Sequence, residues 1–372
     1  AWRSAIARPP ASLRRVQAEA QCEARGRALR KLLWDPLVPL LADLERVLVV
    51  PDRSLSLVPL AALPDGRGGT LAESGPLLQM LAIERDLVSA PDSTRRGHGL
   101  LVIGGADFGA ADAPARRAPR ASDDVCAVLR DGRFERLPGS RAEAAEVARI
   151  WEAARSGART PPNADSSETA NADRAIVLTG AAATERALRE AAPGMRALHV
   201  ASHGFFLPER CAVDARGGGG DSLARRHPLV RGGLALAGAN LRDSSRSAAA
   251  DGLLSAEEVA GLDLEGLEWA VLSACETGLG RIDSNEGVMG LRRAFRAAGA
   301  RAVVMSLWRI DDRSTAEWMR ELSRARFADG LAAAASARAA TRAVLRARRA
   351  EGRSTHPYYW AGFVAESGSA AP

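Results

Sequence analysis

At 372 residues the chain is long for one ordinary domain and short for three. With 47% hydrophobic and 26% charged residues it has ample core material, which excludes a disordered or low-complexity chain. The excess of 51 basic over 45 acidic residues is scattered rather than gathered into runs, and aromatics are only 4%, so neither a basic track nor a stacking platform for nucleic acid is expected. Lys31 is the only lysine, so 50 of the 51 bases are arginine.

In chain order, residues 12–34 read as a helix capped by Ser12, with Leu13, Val16, Ala20, Leu29, Leu32 and Leu33 at helical spacing. Asp35 and Pro36 break it, and a short helix runs on to Leu44. RVLVVPD and LSLVPLAAL then read as two short strands of a hairpin, followed by a Gly-rich loop and the apolar segment LLQMLAIERDLVSA. From residue 99 strands and helices alternate. Strands are expected at 99–105, 175–180, 196–204 (ending at His203), 268–278 (Cys275 at its end) and 301–308. Helices are expected at 141–154, 183–192, 286–299, 312–326 and 330–350, and YYWAGFVAE closes as a last strand. That alternation predicts an α/β fold with a mostly parallel sheet covered by helices on both faces. Residues 106–122, 156–173 and 208–252 read as surface inserts, the third being the expected site of first proteolytic nicking. Three regions follow: an N-terminal helix at 1–34, an α+β subdomain at 35–97 that serves as a platform, and the main domain at 98–372.

Four cysteines (Cys22, Cys126, Cys211, Cys275) with no CxxC pair and no Cys/His cluster at zinc spacing support neither a disulfide scaffold nor a metal. No apolar run reaches the ~18 residues of a membrane span, and the opening AWRSAIARPP lacks the apolar core of a secretory leader, so a cytoplasmic setting is expected. Because the chain opens on Ala1 and not on Met, a longer parent with modules upstream is expected. GGADFG after the first long strand matches neither GxGxxG nor GxxxxGK[ST], which argues against a nucleotide-binding domain and any cofactor.

Ligands of open α/β sheets bind beyond the carboxyl ends of the strands. Two ends carry chemistry. HVASHG delivers His203 and Gly204; LSACETG delivers Cys275, between Ser273 and Glu276. If these strands are neighbours, an imidazole and a thiol face each other, the layout in which the ring takes the thiol proton and later returns it to a leaving amine. The N–H groups of Gly204 and Cys275 would then serve an oxyanion. Each residue also has a bland reading, as a small buried hydrophobe or a satisfied core histidine. His199, inside the apolar run, reads as a packing residue.

LHVASHG, then AVLSACETGLG, EGVMGLRRAFRAAGARAVVMSLWRIDD and HPYYWAGFV, together with LVVPD…LSLVPLAALPD upstream, resemble the CHAT family of caspase-like cysteine peptidases. The resemblance runs from about Asp35 to Glu366. It implies a caspase-haemoglobinase-like fold and a dyad of His203 and Cys275. The family's context further implies a helical-repeat or sensor module upstream, and a dedicated protein substrate, in some members a pore-forming one, in bacterial defence or cell death. LWRIDDR resembles the separase segment in which an acid receives an arginine side chain, and Asp312 occupies the matching place. Asp312 or Asp311 would thus form an arginine pocket beside Trp308, or merely cap the helix that follows. Glu286 and Asp283 are weaker candidates for that pocket, and Glu286 equally suits the first turn of a helix. The competing reading is a peptide-binding sensor or scaffold domain that does not cut.

Overall fold

The computed structural model describes residues 2–10, 15–41, 43–87, 96–109, 134–157, 173–206, 229, 232–241, 251–274 and 286–368, without the side chains of 53, 54, 157, 206 and 286–289. The expected inserts lie largely outside them. So do Ser12, Asp283 and Cys275. In chain order come helices α1 (Trp2–Ile6), α2 (Arg15–Leu33) and α3 (Val38–Leu41), strand β1 (Arg46–Val49), α4 (Leu71–Ser74), β2 (Leu77–Met80) and β3 (His98–Ala106). Then follow α5 (Pro138–Gly157), β4 (Ala175–Gly180), α6 (Glu185–Ala191), β5 (Met195–Ala201), β6 (His203–Phe206), β7 (Gly232–Ala235), β8 (Leu253–Ser255) and α7 (Ala256–Ala260). The chain closes through β9 (Trp269–Ser273), α8 (Glu286–Ala297), β10 (Ala302–Ser306), α9 (Asp312–Ser323), α10 (Ala333–Ala350) and β11 (Phe363–Ser367). Eight strands form one sheet in the order β1-β2-β11-β10-β9-β5-β3-β4, and β6-β7-β8 form a second. The registered pairs of the large sheet are parallel, those of the small one antiparallel. The α/β class with a mostly parallel, helix-covered sheet is therefore as the alternation of elements implies.

The chain divides into two compact units, Ala1–Asp92 with Val304–Pro372, and Ser93–Val303. In the first, β1 pairs with β2 in parallel from Arg46↔Leu77 to Val49↔Met80. The hairpin expected there does not form. LSLVPLAAL instead folds as two 3-10 turns, Arg53–Leu57 and Leu60–Ala62, and buries Leu57, Ala62 and Leu63. Pro59 explains the difference, since it has no N–H for a ladder and constrains Val58 before it. Helix α2 buries Cys22 and Gly26, not the leucine and valine stripe, and leaves Val16 and Leu32 exposed. Small residues decide that face: a Cβ at Gly26 would stand 2.8 Å from Pro64 Cδ and 3.0 Å from Trp2 Nε1. Arg338 and Arg342 on α10 donate to the carbonyls of Ala72, Glu73 and Gly75 at the end of α4, satisfying acceptors a helix terminus leaves open.

In the second unit Leu100, Leu101, Val102 and Ile103 of β3 are fully buried between β4 and β5. Helix α5 covers them with Ala144, Val147, Ile150 and Trp151. A Cβ at Gly104 would lie 2.4 Å from Ser140 O and 2.7 Å from Ala144 Cβ, so the glycine pair of GGADFG serves close helix–strand packing. Strand β5 stops at Ala201, earlier than expected. Ser202 turns the chain by donating its hydroxyl to Ala235 O, and His203 opens β6 in the other sheet, opposite Ala235 of β7. Residues 232–235, read from sequence as part of an insert, are thus the central strand of that sheet. A period-2 pattern cannot report such a change of partner, because alternation records the face each residue takes and not the strand it pairs with.

Candidate active site

Strands β5 and β9 are direct neighbours, and Ala201 lies opposite Ser273. His203 stands two residues beyond Ala201; Cys275 stands two beyond Ser273. The backbone of Gly204 runs beside Ala274, the residue before Cys275, with a built Cβ 3.5 Å from Ala274 O.

His203 is 4% exposed. Its ring packs against Phe108 and Phe134, with centroids 5.2 and 5.5 Å away and those two rings 5.9 Å from each other, and Phe134 contacts Phe205 at 6.4 Å. Its Nε2 lies 2.7 Å from the carbonyl oxygen of Glu135. A carbonyl only accepts, so Nε2 carries the hydrogen, and in the neutral ring Nδ1 carries the lone pair. The nitrogen able to take a proton is thereby fixed before any substrate arrives. Phe108, Phe134 and Glu135 went unnoticed in the sequence. Their only signal there was Phe108 in GGADFG and the isolated aromatic of GRFERL.

His199 is buried inside β5 and meets Glu143 of α5 at 2.8 Å, a buried pair that packs helix on sheet. The backbone of Glu286 opens α8. In the first unit, Trp308 is buried and donates its indole N–H to Tyr358 O at 3.2 Å. Asp311 caps α9: its Oδ1 accepts from Ser314 N–H at 3.1 Å. Its Oδ2 is buried without a hydrogen bond, within electrostatic range of the buried Arg348 guanidinium, itself 4.0 Å over the Tyr359 ring. Asp312, the first helical residue, is exposed and is not the cap. Among the described residues no group of three or more His, Cys, Asp or Glu could hold a metal, and no helix is long and apolar enough to cross a membrane.

Cys22 gives an internal contrast for thiol chemistry. Burial pushes its pKa up to about 11, against the smaller lowering effects of a side-chain hydrogen bond with Trp2 and the Arg25 charge. About one Cys22 in a thousand is then a thiolate at pH 8. Iodoacetamide should leave Cys22 unmodified in the native protein and label it only after denaturation, as read by peptide mass spectrometry. Rapid native labelling of Cys22 would contradict its burial.

These features define an α/β protein in which a buried histidine, two residues beyond the end of a parallel strand, lies beside the backbone leading to a cysteine. Residues 23–369 match the CHAT domain, and the chain belongs to that family. Among solved structures it is similar to the Arg specific cysteine proteinase gingipain R, at 11% identity and a TM-score of 0.47, over 97% of this chain and 69% of that one. It is also similar to a complex of Porphyromonas gingivalis RgpB pro- and mature domains, at 10% identity and a TM-score of 0.46, over 96% and 70%. No curated protein matches the sequence.

Proposed function

We propose that the protein is a cysteine endopeptidase with Cys275 as nucleophile and His203 as its acid–base partner. His203 Nδ1 takes the thiol proton, and the thiolate sulfur attacks the scissile carbonyl carbon. The N–H groups of Gly204 and Cys275 donate to the resulting oxyanion. As the tetrahedral species collapses, the C–N bond breaks and His203 returns its proton to the departing amine. Water, deprotonated by the same ring, then attacks the acyl-enzyme and releases the carboxylate and the thiol. The observation that carries this reading is the parallel register of β5 and β9, with Ala201 opposite Ser273 and His203 and Cys275 each two residues on.

The same reading assigns an arginine side chain at P1. Asp311 spends one oxygen on the α9 cap, and Asp312 next to it is the exposed carboxylate. Trp308 and Glu286 are the remaining candidates to flank the peptide. A carboxylate–guanidinium pair is worth about 1.5–3 kcal/mol, or ~10- to 150-fold in rate. The family resemblance adds a setting: a cytoplasmic bacterial defence or cell-death circuit, with an upstream sensor or repeat module and a dedicated protein substrate, pore-forming or signalling, encoded nearby.

A peptide library varied at P1 tests both statements. Wild type should cleave with arginine preferred, Cys275→Ala should cleave nothing, and Asp312→Ala should lose the arginine preference by that factor while still cutting. Peptide binding without cleavage by wild type would favour a sensor domain instead. A preference for aspartate, or one for arginine indifferent to Asp311→Ala and Asp312→Ala, would overturn the pocket.

A further inference from the structure

We propose that Asn240 is a positioning residue for the His203 ring, an inference that rests on the peptidase reading above. The amide of Asn240 holds one residue, Phe134, by both its backbone groups. Its Oδ1 accepts from Phe134 N–H at 2.7 Å, and its Nδ2 donates to Phe134 C=O at 3.0 Å. The backbone N–H of Asn240 also donates to Phe108 C=O at 2.7 Å. Phe108 and Phe134 are the two rings against the imidazole, and Glu135, the next residue, supplies the carbonyl that takes Nε2–H. One residue therefore ties together the segments that make all three contacts.

The tie matters because residues 134–137 belong to neither helix nor strand, so no regular ladder places the Glu135 carbonyl. A side-chain amide, with one donor and one acceptor face, substitutes for the missing strand partner. Asn240 is itself well anchored. Its turn follows β7, whose Ala235 is the register partner of His203. Leu236, Ala237 and Gly238 donate to the carbonyls of Gly252, Ala183 and Asp107 at 2.7–2.9 Å. Ring and support thus hang from the same strand, and freeing Phe134 would shift the Glu135 carbonyl without touching the ends of β5 and β9 that precede His203 and Cys275.

The experiment uses the full chain with ¹⁵N-labelled histidine. Ring nitrogen shifts report the His203 tautomer, and mass spectrometry follows the rate at which iodoacetamide alkylates Cys275. Wild type should show the Nε2–H form. Asn240→Ala should show mixed tautomers and a tenfold to hundredfold slower alkylation, the loss expected of about 1 Å of misplacement. On an arginyl peptide its kcat should fall by a similar factor with KM unchanged. Asn240→Asp, which keeps the acceptor and loses the donor, should fall between. A folded Asn240→Ala with the wild-type tautomer and alkylation rate overturns the proposal. If Asn240→Ala does not fold, an Asn240→Asp identical to wild type in both readouts overturns it instead. A wild type that cuts no peptide, but whose ring still loses its tautomer in Asn240→Ala, defeats the peptidase reading and leaves the positioning role standing.

Discussion

Cys275→Ala should remove all detectable peptide hydrolysis, and His203→Ala should lower kcat by about 10²–10⁴-fold. The first change deletes the proposed attacking atom, and an alanine methyl offers no substitute. The second deletes the proposed base, while a residual rate should persist from binding and from the proposed oxyanion donors. The structural consequences differ. His203 packs beside the paired rings of Phe108 and Phe134 and satisfies the Glu135 carbonyl, so alanine leaves a void and an unpaired acceptor there. His203→Gln is the cleaner probe. Its amide N–H can still reach a carbonyl, yet it has no nitrogen that takes a proton at neutral pH. Loss of activity in His203→Gln with an unchanged melting temperature would separate chemistry from packing. Full activity of either variant in a preparation free of contaminating peptidase would refute the dyad.

The largest stability loss in the first unit should come from Trp318→Ala. Trp318 is fully buried on α9, stacks on Phe363 of β11 at 4.4 Å and 21°, and donates its indole N–H to Thr341 Oγ1 of α10 at 3.2 Å. Removing so large a side chain costs about 3–5 kcal/mol through lost transfer energy and the remaining cavity. Trp318→Phe keeps most of the stacking and should cost roughly half. Because Trp318 anchors the helix that Asp311 caps and Asp312 opens, the proposed arginine pocket requires that Trp318→Ala weaken any arginine preference more than Trp318→Phe does. Urea unfolding followed by far-UV circular dichroism measures the first effect. A loss below about 1 kcal/mol would mean that the site collapses around the cavity.

Much of the chain was legible because local rules and tertiary structure agree. AIVLTG, with turn residues on both sides, is strand β4 to the residue, and the helices at 141–154, 286–299 and 330–350 form with ends moved by at most three residues. Buried strands such as LLVI and WAVLS declare themselves by composition, since a parallel sheet covered on both faces has no solvent side. The hairpin of the first quarter failed where local pattern and long-range pairing disagree. RVLV is a strand, but its partner lies about 30 residues on, and the run between them carries a proline that no ladder tolerates. Helix α2 forms where the spacing places it, but a different face is buried. Cys22 and Gly26 are buried there because close approach to Trp2 and Pro64 selects small side chains over large apolar ones.

The sequence by itself determined the class of sheet and the alternation of its elements. Hydrophobic period and turn chemistry act within a dozen residues, and those features are written at that range. Only the tertiary structure decided that Ala201 faces Ser273, that His203 begins a second sheet, and that Asp311 rather than Asp312 caps α9. It alone decided which histidine nitrogen carries the hydrogen. That choice belongs to a carbonyl 68 residues away in sequence, and the support of its segment to an asparagine 106 residues from Phe134. Such contacts join backbone groups that every residue type possesses, so no side-chain pattern announces them; they exist once the strands have closed on one another.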